Sequence, residues 1–374
     1  MKKVCVDARM LVHSGIGTYL KNIFKYLKKA PIHWYVFIHP HQKSAYFDQM
    51  EVIPISTPIY SPIEQIDFTR KIPPCDLFWS PHFNVPIFPI PSKKRLTTIH
   101  DLFHLAYPKL LNRLERFYAG FLIKQAAYRS DQIITVSHFS KSELCKYTNI
   151  VADKIEVIPL AVDLDRFSPN KESHQILEKF KVKKRFLLYV GNLKIHKNIQ
   201  ALLLAFDVLD KQGFSEIDLV CVGNSKDMKR LDDSCIKETL QHLKHRIHFV
   251  ENVSDEELVS FYRTAELMIF PSLYEGFGLP PLEAMACGCP TICSYAASLP
   301  EVCKTATLYC NPYNYRHIAQ LMEKVLVDED LRQQLINRGL KLTRTLSWEV
   351  SAQKHLEKID QLIDPPNHRV AMMQ

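Results

Sequence analysis

Short apolar runs rich in β-branched and aromatic residues alternate with helical patterns along the whole chain. In the first half these runs are KVCVDA (3–8), WYVFIH (34–39), DLFWS (76–80), RLTTIH (95–100), QIITVS (132–137) and KIEVIP (154–159). Helical periodicity falls between them over about 17–29, 111–129 and 140–147. The second half is cleaner: FLLYVGN (186–192), IDLVCVGN (217–224), RIHFVENV (246–253), LMIFPS (267–272), PTICSY (290–295) and TLYCNP (307–312) alternate with helices starting near Asn198, Lys226, Asp255, Gly278 and Asn314. Five βα units ending in a sixth strand predict a doubly wound parallel sheet of the nucleotide-binding kind. Residues 54–91 hold nine of the 22 prolines and predict irregular loops with short strands. The polar, aperiodic stretch 161–174 reads as a linker, 328–363 as helical, and 364–374 as a loose tail.

These elements predict an α/β chain of two Rossmann-like domains, residues 1–165 and 175–345, facing each other across a cleft. Ligands of open α/β sheets bind at the carboxyl ends of the strands, so such a cleft would hold two half-sites and suit a two-substrate transfer. A length of 374 residues agrees with two cores rather than one. Residues 1–180 carry 24 Lys and Arg against 16 Asp and Glu, while the remainder balances at 24 of each. A basic first half facing a neutral second half suggests that the first domain meets an anionic partner. Ten scattered cysteines, including the cluster Cys287, Cys289 and Cys293, show no paired zinc spacing and read as core thiols of a reducing compartment. Asp7 and Arg9 interrupt the N-terminal apolar run, which reads as a strand rather than a signal peptide, and no stretch has transmembrane length. The expectation is a cytoplasmic protein.

Candidate chemistry gathers at predicted strand ends. In YEGFGLPPLEAMACG (274–288), Gly276 and Gly278 let backbone approach a ligand, and Pro280 and Pro281 suit the first turn of a helix. A helix start attracts anions, whereas Glu275 would repel phosphate and is better suited to sugar hydroxyls, and Glu283 could reach a ribose. Hydroxyls for the carboxylates and phosphate for the N–H groups together spell a sugar nucleotide; a tight βα turn with two surface glutamates would look the same. In VGNLKIHKN (190–198), Lys194 and Lys197 follow another strand–glycine turn, where a lysine could neutralise a diphosphate leaving group. Gly15 and Gly17 open the first helix, without the third glycine of a dinucleotide fingerprint because Leu20 stands there. His100 ends the strand RLTTIH and could bond a substrate hydroxyl or move a proton. Ser137 and Ser140 sit at the next strand end, where Ser140 could cap the following helix. The helices YLKNIFKYLKKA (19–30) and LNRLERFYAGFLIKQAAYR (111–129) mix apolar bulk with lysine and arginine, either as core helices with solvated cations or as a surface docking on anionic lipid. No nucleic-acid recognition motif accompanies the charge.

FPSLYEGFGLPPLEAMACGCP (270–290), followed by SLPEV (298–302), resembles the retaining glycosyltransferases of family four, whose fold is called GT-B. The resemblance extends over DARML, SGIGTY, IHDL, TVSHFSKSEL, IPLAVDLDRFSP, YVGNLKIHKN, ENVSDEEL and SWEVSAQKHL, and is greatest to bacterial mannosyltransferase-type members that build O-antigen or capsule glycans. It implies a nucleotide-diphosphate sugar bound to the second domain and a glycan or lipid-linked acceptor on the first, at the cytoplasmic face of a membrane. It further implies that Glu275 contacts donor-sugar hydroxyls and that the backbone of Gly276, Phe277, Gly278 and Leu279 lies against sugar and phosphate. Glu283 would hold the ribose, Lys197 the diphosphate with Gly17 nearby, and His100 the transferred sugar. No metal or other cofactor is implied, and a C-terminal helix over 346–364 is expected to return to the first domain. Asn192 stands where many members carry arginine, and Leu160 and Ala161 replace a usual Asn-Gly, so phosphate charge would fall to Lys197 with help from Lys194. A nucleotide-sugar epimerase of similar architecture and a sugar-nucleotide-binding protein without turnover are the competing readings.

Overall fold

The computed structural model describes residues 1–42, 45–169, 175–182, 185–224 and 234–365. They form two compact units: Met1–Leu160 together with the segment from Ser347 onward, and Ala161–Leu346.

In the first unit the elements run β1 (Lys2–Asp7), α1 (Ser14–Leu27), β2 (Ile32–Ile38), β3 (Glu51–Pro54), α2 (Glu64–Lys71), β4 (Cys75–Ser80), β5 (Ser92–Ile99), α3 (Phe103–Ala106), α4 (Arg113–Arg129), β6 (Gln132–Thr135), α5 (His138–Thr148) and β7 (Ile155–Val157). All seven strands are parallel in the order β3-β2-β1-β4-β5-β6-β7. Leu20, Ile23, Phe24 and Leu27 recur at helical spacing on α1 and are fully buried, so this helix is a core element and its lysines are the solvated side. In α4 the capping box of Asn112 and Glu115 fixes the start, and Ala119, Leu122, Ile123, Ala126 and Ala127 face the core.

The second unit comprises α6 (Gln175–Phe180), β8 (Phe186–Val190), α7 (Ile199–Lys211), β9 (Asp218–Val222), α8 (Ser234–His242), β10 (Ile247–Val250), α9 (Asp255–Thr264), β11 (Leu267–Phe270), α10 (Leu279–Ala286), β12 (Thr291–Ser294), α11 (Leu299–Cys303), β13 (Leu308–Cys310), α12 (Tyr315–Val327) and α13 (Glu329–Thr343). Its strands are parallel in the order β10-β9-β8-β11-β12-β13, the doubly wound arrangement that the sequence predicts. Strand residues 186–190 are buried on both faces, as a sheet covered by helices on each side requires. Cys287, Cys289 and Cys293 are buried, and the nine cysteines among the described residues are free thiols.

Several expectations change in detail. The proline-rich segment contains helix α2 as well as strand β4, because Pro62 lies before α2 and Pro73–Pro74 after it, leaving EQIDFTRK free of breakers. The helix expected from Gly278 starts at Leu279, and those expected from Asn198 and Asn314 start one residue later, with those asparagines as caps. The start near Lys226, residues 170–174 of the linker and most of the C-terminal tail fall outside the described residues. Residues 161–169 are anchored rather than solvated: Ala161, Val162 and Phe167 are buried, and the Arg263 guanidinium donates to the Ser168 carbonyl at 2.7 Å.

The last helix, α14 (Trp348–Ile363), belongs to the first unit and packs on α1, β4 and β5. Trp348, Ser351, Ala352, His355 and Ile359 form its buried stripe. His355 is fully buried and His100 half-buried, and burial pushes each imidazole down to about 4. Because both pKa values lie below that of an unfolded histidine, the unfolded chain binds more protons between about pH 6.5 and 4, and stability falls as pH drops through that window. Urea titrations across this range are expected to show His355→Gln reducing the proton uptake on unfolding by close to one relative to wild type; an unchanged slope would show that His355 titrates normally.

Candidate active site

In the second unit the chain leaves β8 and β11 for helices α7 and α10, and the two turns meet at one edge of the sheet. The Leu273 amide donates to the His196 carbonyl at 2.7 Å, tying the turn after β11 to the turn after β8. Asn198, held in the left-handed region at φ 58°, sends its side-chain amide to the carbonyls of Pro271 (3.1 Å) and Pro312 (2.7 Å). One side chain therefore joins the ends of three strands. Across this frame Lys197 Nζ lies 2.6 Å from Glu275 Oε1, and both side chains are mostly buried. Charge-assisted contacts of this kind are short and directional, so the pair fixes both groups at the strand ends. Asn192 and Lys194 lie on the same turn and are exposed.

The glycine turn is held from behind. Ser298 Oγ contacts the carbonyls of Glu275 (2.9 Å) and Phe277 (3.1 Å). Gly278 caps α10 at φ 105°, and a Cβ there would lie 2.7 Å from Leu299 Cδ2, so backbone angle and space both demand glycine. Gly276 and Phe277 are buried and Leu279 is half-buried. Pro280 and Pro281 carry no N–H, which leaves Gly278 and Leu279 as the backbone donors ahead of the helix's own ladder. One turn further on, Glu283 Oε2 accepts from Tyr262 Oη at 2.9 Å. Burial pushes the Glu283 carboxyl up to about 7, with the Tyr262 hydroxyl opposing that rise. Glu283 thus stands near half-ionisation at neutral pH.

The first unit places His100 directly after the last residue of β5. Its Nε2–H donates to the Pro81 carbonyl at 3.0 Å, which leaves Nδ1 as the ring's acceptor. With its pKa pushed down to about 4, this imidazole is neutral at pH 7 and suited to accepting a hydroxyl proton in a hydrogen bond rather than to supplying a positive charge. The expectation for the serines is revised: Ser137 is the cap of α5, and Ser140 Oγ donates to the His100 carbonyl at 3.2 Å. At the start of α1, a Cβ on Gly17 would lie 2.2 Å from the Leu11 carbonyl oxygen, whereas one on Gly15 would meet nothing within 4 Å. Packing explains Gly17 and does not explain Gly15.

A second cluster fixes the loops around β1 and β4. Arg9 donates to both Asp7 oxygens (2.8 and 2.7 Å) and to Glu64 Oε1 (2.6 Å), while the Asn84 amide bonds Glu64 and His82 bonds Asp7 at 3.1 Å. Burial pushes the Asp7 carboxyl up, but the Arg9 guanidinium outweighs it and holds Asp7 well below the usual carboxylate range. Among the described residues no group of three or more His, Cys, Asp or Glu side chains is arranged to hold a metal ion.

Residues 169–342 match the family described as "Glycosyl transferases group 1", and residues 13–166 match "Glycosyltransferase Family 4". Over 273 residues the chain is 30% identical to O-antigen chain mannosyltransferase B of Escherichia coli, covering 71% of each. The chain is a family-four glycosyltransferase. Among solved structures, this glycosyltransferase is similar to sucrose-phosphate synthase from Thermosynechococcus elongatus at a TM-score of 0.79 and 20% identity, over 97% of this chain and 99% of that one. It is also similar to HepE of Anabaena, solved in complex with UDP-glucose, at a TM-score of 0.73 and 15% identity over 96% and 100% of the two chains. These likenesses give the two parallel-sheet α/β domains of the GT-B fold.

Sequence reasoning brings together Glu275, Lys197, Gly276, Gly278 and Glu283 in one unit of this glycosyltransferase, and the structure adds their supports. Asn198, Tyr262 and Ser298 carry no ligand-directed signal of their own. Only their positions at a helix cap, facing a glutamate and after a strand end mark them. Removing the Tyr262 hydroxyl takes away the bond that favours the Glu283 carboxylate, so Tyr262→Phe is expected to raise the Glu283 pKa above about 7. Infrared titration of the buried carboxyl band, assigned with Glu283→Gln, measures this directly; an unmoved or lowered midpoint would contradict the assignment.

Proposed function

We propose that this glycosyltransferase moves a hexosyl group, mannose by preference, from a nucleotide-diphosphate sugar to a glycan or lipid-linked acceptor. The observation that carries the reading is the Lys197–Glu275 pair set beside the Gly278–Leu279 backbone at adjoining strand ends. A sugar nucleotide offers both charges a partner: phosphate oxygens to Lys197 and sugar hydroxyls to Glu275. Glu283, when ionised, accepts ribose hydroxyls. Gly15 leaves the start of α1 open to phosphate with Gly17 beside it, and His100 takes a sugar hydroxyl. Mannose is favoured because the Escherichia coli relative at 30% identity is named a mannosyltransferase.

In the retaining chemistry implied by the family, the acceptor oxygen attacks the anomeric carbon on the face from which the nucleotide diphosphate departs. The carbon–phosphate-oxygen bond breaks with its electron pair on the leaving group, and the acceptor's proton passes to a departing phosphate oxygen. Lys197 and the backbone donors at Gly278 and Leu279 stabilise the charge that grows there, the place where fixed electrostatics contribute most to catalysis. These groups take the role that a divalent cation takes elsewhere, so turnover is expected to be indifferent to EDTA.

A thermal-shift panel with GDP-mannose, UDP-glucose, UDP-N-acetylglucosamine, ADP-glucose and NADH tests the donor. Binding to the native state by RT ln(1 + [L]/Kd) gives about 2.7 kcal/mol at a hundredfold excess over Kd, a shift of several degrees. GDP-mannose is expected to stabilise the protein, with the shift mostly lost in Glu275→Ala. A shift with NADH alone would overturn the reading.

For the acceptor side we place an anionic membrane surface against α4. Its outward stripe Leu114, Phe117, Phe121 and Tyr128 recurs at helical spacing and is exposed, Leu114 by 82% and Phe117 by 76%, with Arg113, Arg116, Lys124 and Arg129 around it. A basic helix with a bare apolar stripe is suited to the headgroup layer of a membrane. No described helix is long and apolar enough to cross a membrane. Vesicles containing phosphatidylglycerol are expected to sediment the wild type at low salt and to lose most of it with Leu114→Ser/Phe117→Ser; equal sedimentation of both would remove α4 from the surface.

A further inference from the structure

One polar chain runs through the core of the first unit and ends beside His100. His355 on α14 has its Nδ1 2.7 Å from the Ser351 carbonyl of its own helix. A carbonyl only accepts, so Nδ1 carries the ring proton and Nε2 is a bare lone pair. That lone pair faces Tyr19 Oη at 2.6 Å, which makes Tyr19 the donor. The Tyr19 oxygen is then free to accept from Thr98 Oγ1 at 3.2 Å, and Thr98 Oγ1 accepts from Trp79 Nε1 at 3.0 Å. Each proton has one place, from Trp79 through Thr98 and Tyr19 to His355. All four of these side chains are buried.

Thr98 lies in β5 and His100 directly follows its last residue, and both side chains meet Tyr19. Thr98 grips the Tyr19 hydroxyl, while the His100 imidazole stands edge-on to the Tyr19 ring at 4.9 Å between centroids and 82° between planes. The single bond from His100 Nε2 to Pro81 fixes where that nitrogen points but leaves the ring's roll about the bond open. The Tyr19 ring supplies the second restraint. Its own angle is set by packing against Trp79 and Trp348 and by the hydroxyl bond to His355. A buried polar chain of this length is costly unless every member is satisfied, and an apolar side chain at position 355 would pack without that cost. What the polar chain adds is orientation.

We infer that His355 is a positioning residue for His100, acting through the Tyr19 hydroxyl to hold the imidazole with Nδ1 presented to substrate. The inference rests on the reading of His100 as a substrate contact, and it makes the C-terminal helix part of the transfer machinery.

The test uses the full chain labelled with 15N-histidine, with His100 and His355 assigned by His100→Gln and His355→Gln. Long-range 1H–15N spectra at pH 7 are expected to show His100 as a single Nε2–H tautomer and His355 as Nδ1–H. Tyr19→Phe, which keeps the ring and removes the hydroxyl, and His355→Leu should both shift and broaden the His100 ring signals as the imidazole rolls about its Pro81 bond, with the Nε2–H tautomer kept. His355→Gln, whose carbonyl can accept from Tyr19, should keep the wild-type pattern for His100. An unchanged His100 pattern in both Tyr19→Phe and His355→Leu would overturn the inference, and Tyr19→Phe still decides it should His355→Leu not fold. Hydrolysis of GDP-mannose separates this outcome from failure of the wider reading. Tyr19→Phe is expected to lower kcat about tenfold with KM within twofold, and to add nothing in a His100→Gln background. If His100→Gln itself leaves hydrolysis intact, the substrate role of His100 falls, while the spectra still decide whether His355 orients it.

Discussion

A parallel sheet whose strand order reverses at its centre has neighbouring strands from which the chain departs toward opposite faces. In the second unit that reversal lies between β8 and β11, and the site follows from it. Two turns that part company leave backbone and side chains at a strand edge that no crossover covers. The protein then has to keep this edge rigid without filling it. Asn198 does so by bridging carbonyls from two other turns, Ser298 by gripping the glycine turn from behind, and the Leu273–His196 bond by closing the seam. None of the three occupies the space that Lys197 and Glu275 border.

The charged groups are tuned in different ways by the same burial. Glu283 is raised toward neutrality because burial outweighs the Tyr262 hydroxyl and the Arg166 charge that favour its ionised form. Asp7 is more fully hidden but sits against a guanidinium, and its charge is secured instead. His100 and His355 are kept neutral, so the first unit presents hydrogen-bond acceptors rather than cations along this part of its core. A buried carboxylate near half-ionisation can adjust its proton to a ligand at little cost, whereas one locked by arginine serves as a fixed strut.

Much of this was legible in the sequence, and the reason is periodicity. Strands buried on both faces show as short continuous apolar runs, so the second unit's six strands stand out. The glycine turn declares itself because Gly278 has both a left-handed backbone and no room for a Cβ. The resemblance of YEGFGLPPLEAMACG and VGNLKIHKN to family four supplied roles that spacing alone left open. What escaped were features set by long-range packing. Helix α2 hides among prolines that flank rather than interrupt it. Nothing local distinguishes Tyr262 or Asn198 from an ordinary core tyrosine or helix-starting asparagine, since their meaning lies in partners that are 21 and 73 residues away. The exposed stripe of α4 is built, like the buried stripe of α1, from large apolar side chains, and only the surrounding fold separates them.

The return of α14 to the first unit has a consequence for how the chain is made. The first unit is discontinuous: residues 1–160 are synthesised before the whole of the second unit, and helix α14 only after it. Until then the Tyr19 hydroxyl lacks its acceptor, and the surface that Trp348 and Ile359 will cover is bare. Burying two such side chains is worth roughly 1.5–3 kcal/mol each, against the ~5–15 kcal/mol that holds a typical domain together. On the ribosome the second unit can complete its sheet first, although it is translated later, because everything it needs is contiguous. The second unit can thereby be finished before the first, and a nascent chain cut short before Ser347 lacks the helix that completes the first unit.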